Sequence, residues 1–338
     1  MDDYCEAVKV ISTRNSFIAL LLAGVMGPTQ ILGQYCYEYD CVLPPYVCEI
    51  GVLYNVTCDK IARLPIINLE RNDILERERV KAAQESISID MPYLIPTKTH
   101  RMWLTSSDTP KEVPLVQLGY YNSSLQHYLG KDFEHHFWCN DRTLIPQTIE
   151  IIKSFNVPVI IHEIAEVIEI FITKSIFQKL IKYKMFAFAS NLARREILVQ
   201  HGGLYADIGI EQLTDLEWVF KKSNKIICVH NSWLDNHFLA SEKNSDFFKE
   251  GLKIILPVMR LIKSTPISIT AAGIHGYLSI RSWQLVAAVK NMTTFTDLMF
   301  YEGRDYKYHG MRTWDGMQEK LSLDYLLEEE NNLSNVNF

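Results

Sequence analysis

The chain has 338 residues, with 34 Lys+Arg against 40 Asp+Glu and a formal net charge of -6, a length that at roughly 150 residues per domain allows one large domain or two ordinary ones. Hydrophobic residues at 48%, aromatics at 11% and charged residues at 22% are globular values, which excludes a disordered, collagenous or coiled-coil chain. The acidic balance, without any basic run, excludes nucleic acid as a partner, because that binding needs clustered Lys and Arg to displace counterions.

In chain order, the first feature is the apolar run Phe17 to Met26, closed by Gly27-Pro28. It falls short of the roughly 20 apolar residues that span a bilayer, so no transmembrane span is expected, and acidic Asp2, Asp3 and Glu6 ahead of it argue for a buried helix over a signal peptide. Cys36, Cys41, Cys48 and Cys58 follow at spacings that match no zinc pattern; disulfides and reduced core thiols both remain open for them. The charged run Glu70 to Arg79 mixes signs at helical spacing and reads as a solvated helix face. Residues 1–90 are therefore read as a mainly helical N-terminal segment of unassigned role. Residues 91–320 form the main α/β domain, and 321–338 an acidic, polar tail.

From Tyr93 onward short apolar runs alternate with helical periodicity, the pattern of an α/β domain. Strands are expected at Lys98–Leu104, His135–Trp138, Val157–Ile161, Leu204–Ile210 and Lys225–His230, with a helix at Leu144–Phe155 and a long helical region before Leu204. His162-Glu163 has no second His at helical spacing, so a metalloprotease helix is excluded. No phosphate-binding loop of the G-x-x-x-x-G-K-[ST] kind, G-x-G-x-x-G fingerprint or G-x-S-x-G elbow occurs either.

The most informative stretch is Ser190 to Gly209. Its first half reads as a helix with Asn191, Arg194 and Leu198 on one stripe, stopped by Gly202-Gly203 in a left-handed C-cap. The strand expected next puts Tyr205, Asp207, Gly209 and Glu211 on one face. A guanidinium and a carboxylate thus meet beside a tight turn, which suits a diphosphate and its cation; an ordinary helix-turn-strand unit with Arg194 paired to a surface carboxylate is the alternative.

The string Ser190-Asn191-x-x-Arg194…Gly202-Gly203-Leu204-Tyr205-x-Asp207 resembles the S-D-x-x-R…G-G-x-Y-x-D-x-D block of glycosyltransferases with a DXD sugar-binding region, a group that includes toxin glucosyltransferases and yeast-type mannosyltransferases. Ile95-Pro96-Thr97-Lys98-Thr99-His100-Arg101-Met102-Trp103, Phe137-Trp138-Cys139-Asn140-Asp141 and His309-Gly310-Met311-Arg312-Thr313-Trp314 are similar to further segments of that family, in family order.

The resemblance implies a GT-A, Rossmann-like nucleotide-sugar domain with a mixed, mostly parallel sheet and helical additions. Its reaction would be retaining transfer of a hexose from a UDP- or GDP-sugar to a hydroxyl or protein acceptor. Arg194 and Asp207 would be the catalytic residues. Trp103, Asn191, Tyr205, Asn236 and Trp314 would bind the donor, and Asp207 and His309 would hold Mn²⁺ or Mg²⁺. A cytosolic site of action is expected, as for a secreted bacterial effector with a host protein as acceptor; a secretory-pathway location is the alternative. Two carboxylates of the family pattern are replaced, by Gly209 and Asn191. Glu211, two residues beyond Gly209 on a continuous strand, would lie roughly 7 Å away from that position. A catalytically silent binding module on the same fold is the alternative function.

Overall fold

A computed structural model describes residues 90–221, 226–228, 237–253, 255 and 305–309. The Phe17–Met26 run, the four clustered cysteines, the charged run at 70–79, Asn236 and Trp314 lie outside the described residues. Residues 90–253 and 305–309 belong to one compact unit.

The unit is built on a six-stranded sheet in the order β3-β2-β1-β4-β7-β6, from β1 (Lys98–Trp103), β2 (Glu134–Cys139), β3 (Ile160–Glu163), β4 (Gly203–Ala206), β6 (Ile226–Cys228) and β7 (Phe238–Ser241). β3, β2, β1 and β4 run parallel, and β7 is antiparallel to both β4 and β6. Five strands therefore share one direction, and the domain is α/β with a mixed, mostly parallel sheet. Four central residues of β1 and five of β2 are buried, as befits strands covered on both faces.

The expected strands at 98–104, 135–138 and 225–230 agree with β1, β2 and β6 within a few residues. The strand expected at 157–161 begins later, at Ile160. Pro158 has no N–H for a ladder, so pairing with β2 starts beyond it, at His136↔Ile160.

Helix α1 (Leu115–Gln126), which the apolar pattern does not announce, buries Gln117, Leu118, Tyr121, Ser124 and Leu125. Its buried stripe is part polar, and Pro114 precedes it without a side-chain cap. α2 (Pro146–Lys153) starts with Pro at a position where the missing N–H costs nothing. The long helical region is two 3₁₀ turns followed by α3 (Lys174–Lys182) and α4 (Phe186–His201). A buried carboxylate ties α4 to the segment ahead of α3: Glu196 accepts from Ile172 N at 3.1 Å, Thr173 N at 2.7 Å and Thr173 Oγ1 at 2.8 Å. Helices α5 (Glu217–Lys221) and α6 (Asp246–Lys253) complete the described set. None of these helices is long and apolar enough to cross a membrane.

The two faces of the sheet differ in chemistry. One carries Phe137, Cys139 and Leu204 into apolar clusters with Tyr121, Leu125, Ile149, Phe220 and Phe238. The other carries a layer of imidazoles. His100 stacks on His136 with centroids 5.0 Å apart, and His136 on His162 at 5.2 Å. Trp138 stacks on His162 at 4.3 Å and meets His201, from the end of α4, at 5.3 Å. Trp138 Nε1 donates to His100 Nδ1 at 3.2 Å, and the other His100 nitrogen meets Gly202 O at 2.9 Å.

Between α4 and β4 the backbone turns through Gly202 (φ 65°, ψ -166°) and Gly203 (φ 100°). The positive φ is as expected, but this ψ lies outside the left-handed helical region, so the turn is one that glycine alone enters freely rather than an αL cap. Space enforces the same choice, since a Cβ on Gly202 would lie 2.6 Å from Lys243 N and one on Gly203 would collide with Lys98 O.

The strand expected over 204–210 is two strands. β4 stops at Ala206, the chain turns at Asp207-Ile208-Gly209 with Ile210 N donating to Asp207 O at 2.9 Å, and β5 (Ile210–Gln212) joins β8 (Tyr306–Tyr308) in a separate antiparallel pair. The alternation that put Tyr205, Asp207, Gly209 and Glu211 on one face therefore ends at Ala206.

Candidate functional site

Asp207 is the first residue past the carboxyl end of β4, beside the carboxyl ends of the parallel strands β1 and β2. Open α/β sheets bind ligands at that edge. The loops leaving β1 and β2 are locked together there: Thr105 N donates to Asn140 Oδ1 at 3.0 Å, and Asn140 Nδ2 returns a bond to Thr105 O at 2.9 Å.

Three of the expected residues converge. Arg194 reaches from α4 so that its Nη2 lies 2.9 Å from Asp207 Oδ1. The Tyr205 hydroxyl donates to the same oxygen at 2.9 Å, and the Arg194 guanidinium lies over the Tyr205 ring, 4.8 Å from its centroid. Arg194 is aimed from behind as well, by Nε to Ser190 O and Nη2 to Ser190 Oγ, both at 3.2 Å. Burial keeps the Tyr205 phenol protonated, its pKa pushed far up, so it acts toward Asp207 as a donor. Arg194 is 4% exposed and the Asp207 side chain 26%; the carboxylate is the open end of the group and the guanidinium its buried root.

The other expected residues fall out differently. Asn191 is buried in α4, one turn ahead of Arg194. Trp103, the last residue of β1, is partly buried against the apolar cluster of Phe137 and Cys139 and donates its indole N–H to Lys111 O at 2.7 Å. His309 is tied to the turn by its backbone, with its N–H on Gly209 O at 2.8 Å. Its ring stacks on Tyr120 at 3.8 Å, and its Nε2 lies 2.9 Å from Glu211 Oε2. Asn236 and Trp314 lie outside the described residues.

Sequence reasoning passed over Arg101, Tyr120 and the Glu211–His309 pair. Arg101 could have been flagged, because strand alternation sets this charge beside Trp103 on an inward face of β1. The Glu211–His309 contact joins residues 98 positions apart and had no local signal.

No three His, Cys, Asp or Glu side chains among the described residues are placed to hold a metal ion. One Asp207 oxygen already serves Arg194 and Tyr205, and Glu211 is engaged by His309. The described residues thus offer no protein cage for a metal ion, and a hard cation at this edge would take most of its ligands from a diphosphate and water.

No protein-family model matches the chain, and no curated protein matches it. Among solved structures it is similar to "PaToxG Glycosyltransferase" at 15% identity and a TM-score of 0.47, over 66% of this chain and 79% of that one. The ligand-free glycosyltransferase domain from the YGT toxin aligns at 11% identity and a TM-score of 0.43, over 63% and 81%. A structure described as a transferase mutant aligns at 13% identity and a TM-score of 0.37, over 66% and 94%.

Proposed function

We propose that the chain is a GT-A-type glycosyltransferase that takes a hexose from a UDP- or GDP-sugar and transfers it, with retention, to a hydroxyl of an acceptor such as a host protein in the cytosol. The observation that carries this reading is the convergence of Arg194, Tyr205 and Asp207 at the carboxyl edge of the sheet. The residues that supply it are those of the S-N-x-x-R…G-G-L-Y-x-D block.

In this reading Arg194 acts on the donor diphosphate or sugar as a fixed positive charge held behind Asp207, its Nε and Nη2 being bonded to Ser190 and Asp207. Asp207 accepts from a ribose or sugar hydroxyl, with its rotamer held by Tyr205 and Arg194. Asn191, buried in α4 one turn ahead of Arg194, would also bind the donor; Trp103 would lie against the base, Asn236 would be a polar donor-site residue, and Trp314 would help close the site. Front-face attack by the acceptor needs no protein nucleophile, so catalysis rests on stabilising the charge that develops on the departing diphosphate. Asp207 and His309 would hold a divalent cation, which would neutralise part of that charge. Arg194, buried at the root of the site, supplies a fixed positive charge to the same end.

The test incubates the protein with UDP-glucose, UDP-N-acetylglucosamine and GDP-mannose plus Mn²⁺, comparing wild type with Asp207→Ala. Hydrolysis or transfer by the wild type and its loss in the variant are expected; no binding and no turnover with any donor refutes the reading. Gly209 and Asn191, standing where the family carries carboxylates, favour a second reading, a silent binding module. That reading predicts stabilisation by a nucleotide sugar without turnover.

A further inference from the structure

We propose that Arg101 is a positioning residue of the donor site: its buried guanidinium clamps the turn Asp207–Ile210 from beneath and sets where the Asp207 carboxylate points. The proposal rests on the donor-site reading above and adds to it a residue outside the Arg194–Tyr205–Asp207 group.

Arg101 lies in the middle of β1 and is 4% exposed. A cation sealed from water must have its N–H groups satisfied, or the desolvation cost is large. Its Nη1 donates to Asp207 O at 2.5 Å and to Ile210 O at 3.0 Å. Those carbonyls belong to the first and last residues of a single turn, which also closes on itself through Ile210 N to Asp207 O at 2.9 Å. One nitrogen with two N–H groups thus bridges both ends, as the flat guanidinium permits and a single ammonium on a flexible stem does less well. The Tyr121 ring supports the guanidinium from the other side, 5.4 Å from Cζ to the ring centroid.

The turn is anchored independently above and alongside: Asp207 N donates to His237 O at 2.8 Å, and His309 N to Gly209 O at 2.8 Å. Arg101 is the tie that comes from the central strand. It links the H-x-x-W segment of β1 to the turn through backbone carbonyls, so it acts whatever side chains the turn carries. This matters where Gly209 stands, because the turn then has no second carboxylate whose own contacts would hold it.

The experiment compares wild type, Arg101→Lys and Arg101→Gln in the full chain. Amide hydrogen exchange is followed at 207–210 and at β1 and β2 without ligand, and kcat and KM are measured with the donor the wild type uses. Expected are unchanged protection in β1 and β2, faster exchange across the turn, and a kcat lowered on the order of tenfold to a hundredfold, the scale of a small misplacement of a reacting group. KM should change much less, and Arg101→Lys should retain more activity than Arg101→Gln.

Variants with wild-type exchange at the turn and wild-type kcat overturn the positioning role while leaving the transferase reading in place. Variants that both lose the fold, seen as lost protection in β1 and β2, make Arg101 a stability residue and also overturn it. A wild type that neither binds nor turns over any of the three donors overturns the transferase reading, and the role of Arg101 in it.

Discussion

Lowering the pH from about 7 to about 5 should destabilise the domain through its buried histidines, on both faces of the sheet. Burial pulls His135, His136 and His201 from 6.5 down to about 4, and His100 well below its usual value. For His136 the next causes are the neighbouring His162 and Lys98, with Glu134 pulling weakly the other way. Its Nε2 lies 3.3 Å from Glu134 Oε2 outside hydrogen-bond geometry, and His201 Nε2 has no hydrogen-bond partner among the described residues, so neither arrangement pays well for a charge.

The sign follows from proton counting. Between pH 6.5 and about 4 the unfolded chain binds protons that the folded chain refuses, so stability falls as pH falls. A histidine shifted from 6.5 to about 4 loses about 2 kcal/mol between neutrality and pH 5. Allowing for mutual coupling and for partial solvation of His201, three such groups together lose about 3–4 kcal/mol, a large share of the roughly 5–15 kcal/mol that holds a domain. Glu196 works in the opposite sense, because burial raises its carboxyl. It is common to wild type and variant and cancels in their difference.

The assay is urea unfolding at about pH 7 and about pH 5 for wild type and His136→Gln. The variant should start less stable, yet lose about 1–2 kcal/mol less between the two pH values. A wild-type midpoint that stays flat over this range, or a variant with the same pH slope, refutes the reasoning.

Gly203→Ala should cost several kcal/mol, because a Cβ at φ 100° meets the Lys98 carbonyl of the neighbouring strand; a urea midpoint shift under about 1 kcal/mol would contradict that geometry. Arg194→Lys keeps the charge but loses the fork that spans Asp207 and Ser190, so donor affinity should drop about tenfold or more by calorimetry while the fold persists. Cys139 is fully buried with its thiol pushed up to about 12 by burial. Its peptide should stay unmodified by iodoacetamide at about pH 8 under native conditions and react only after unfolding.

Much of the sheet was legible in the chain because its signal is local. β1 and β2 show as short runs rich in buried residues, and the spacing of Arg194, Gly202-Gly203 and Tyr205-x-Asp207 brings guanidinium and carboxylate together across one helix-turn-strand unit. Other features were hidden. α1 buries the polar Gln117 and Ser124, the latter with its Oγ donating to Tyr120 O and accepting from Gln212 N; an apolar stripe was therefore missing. The break after Ala206 was invisible to alternation, since β5 leaves the main sheet to pair with β8, far along the chain.

The residue pattern by itself determined the α/β class, a glycine turn between helix and strand, and the approach of Arg194 to Asp207 across it, because each has its signal within one or two neighbouring elements. Only the tertiary structure decided that the chain turns at Asp207, that Glu211 pairs with His309 rather than replacing the carboxylate absent at Gly209, and that Arg101 holds the turn from below. Those contacts join residues about a hundred positions apart. Their partners are chosen by burial, which forces each polar group sealed in the core to find whatever acceptor the packing brings to it.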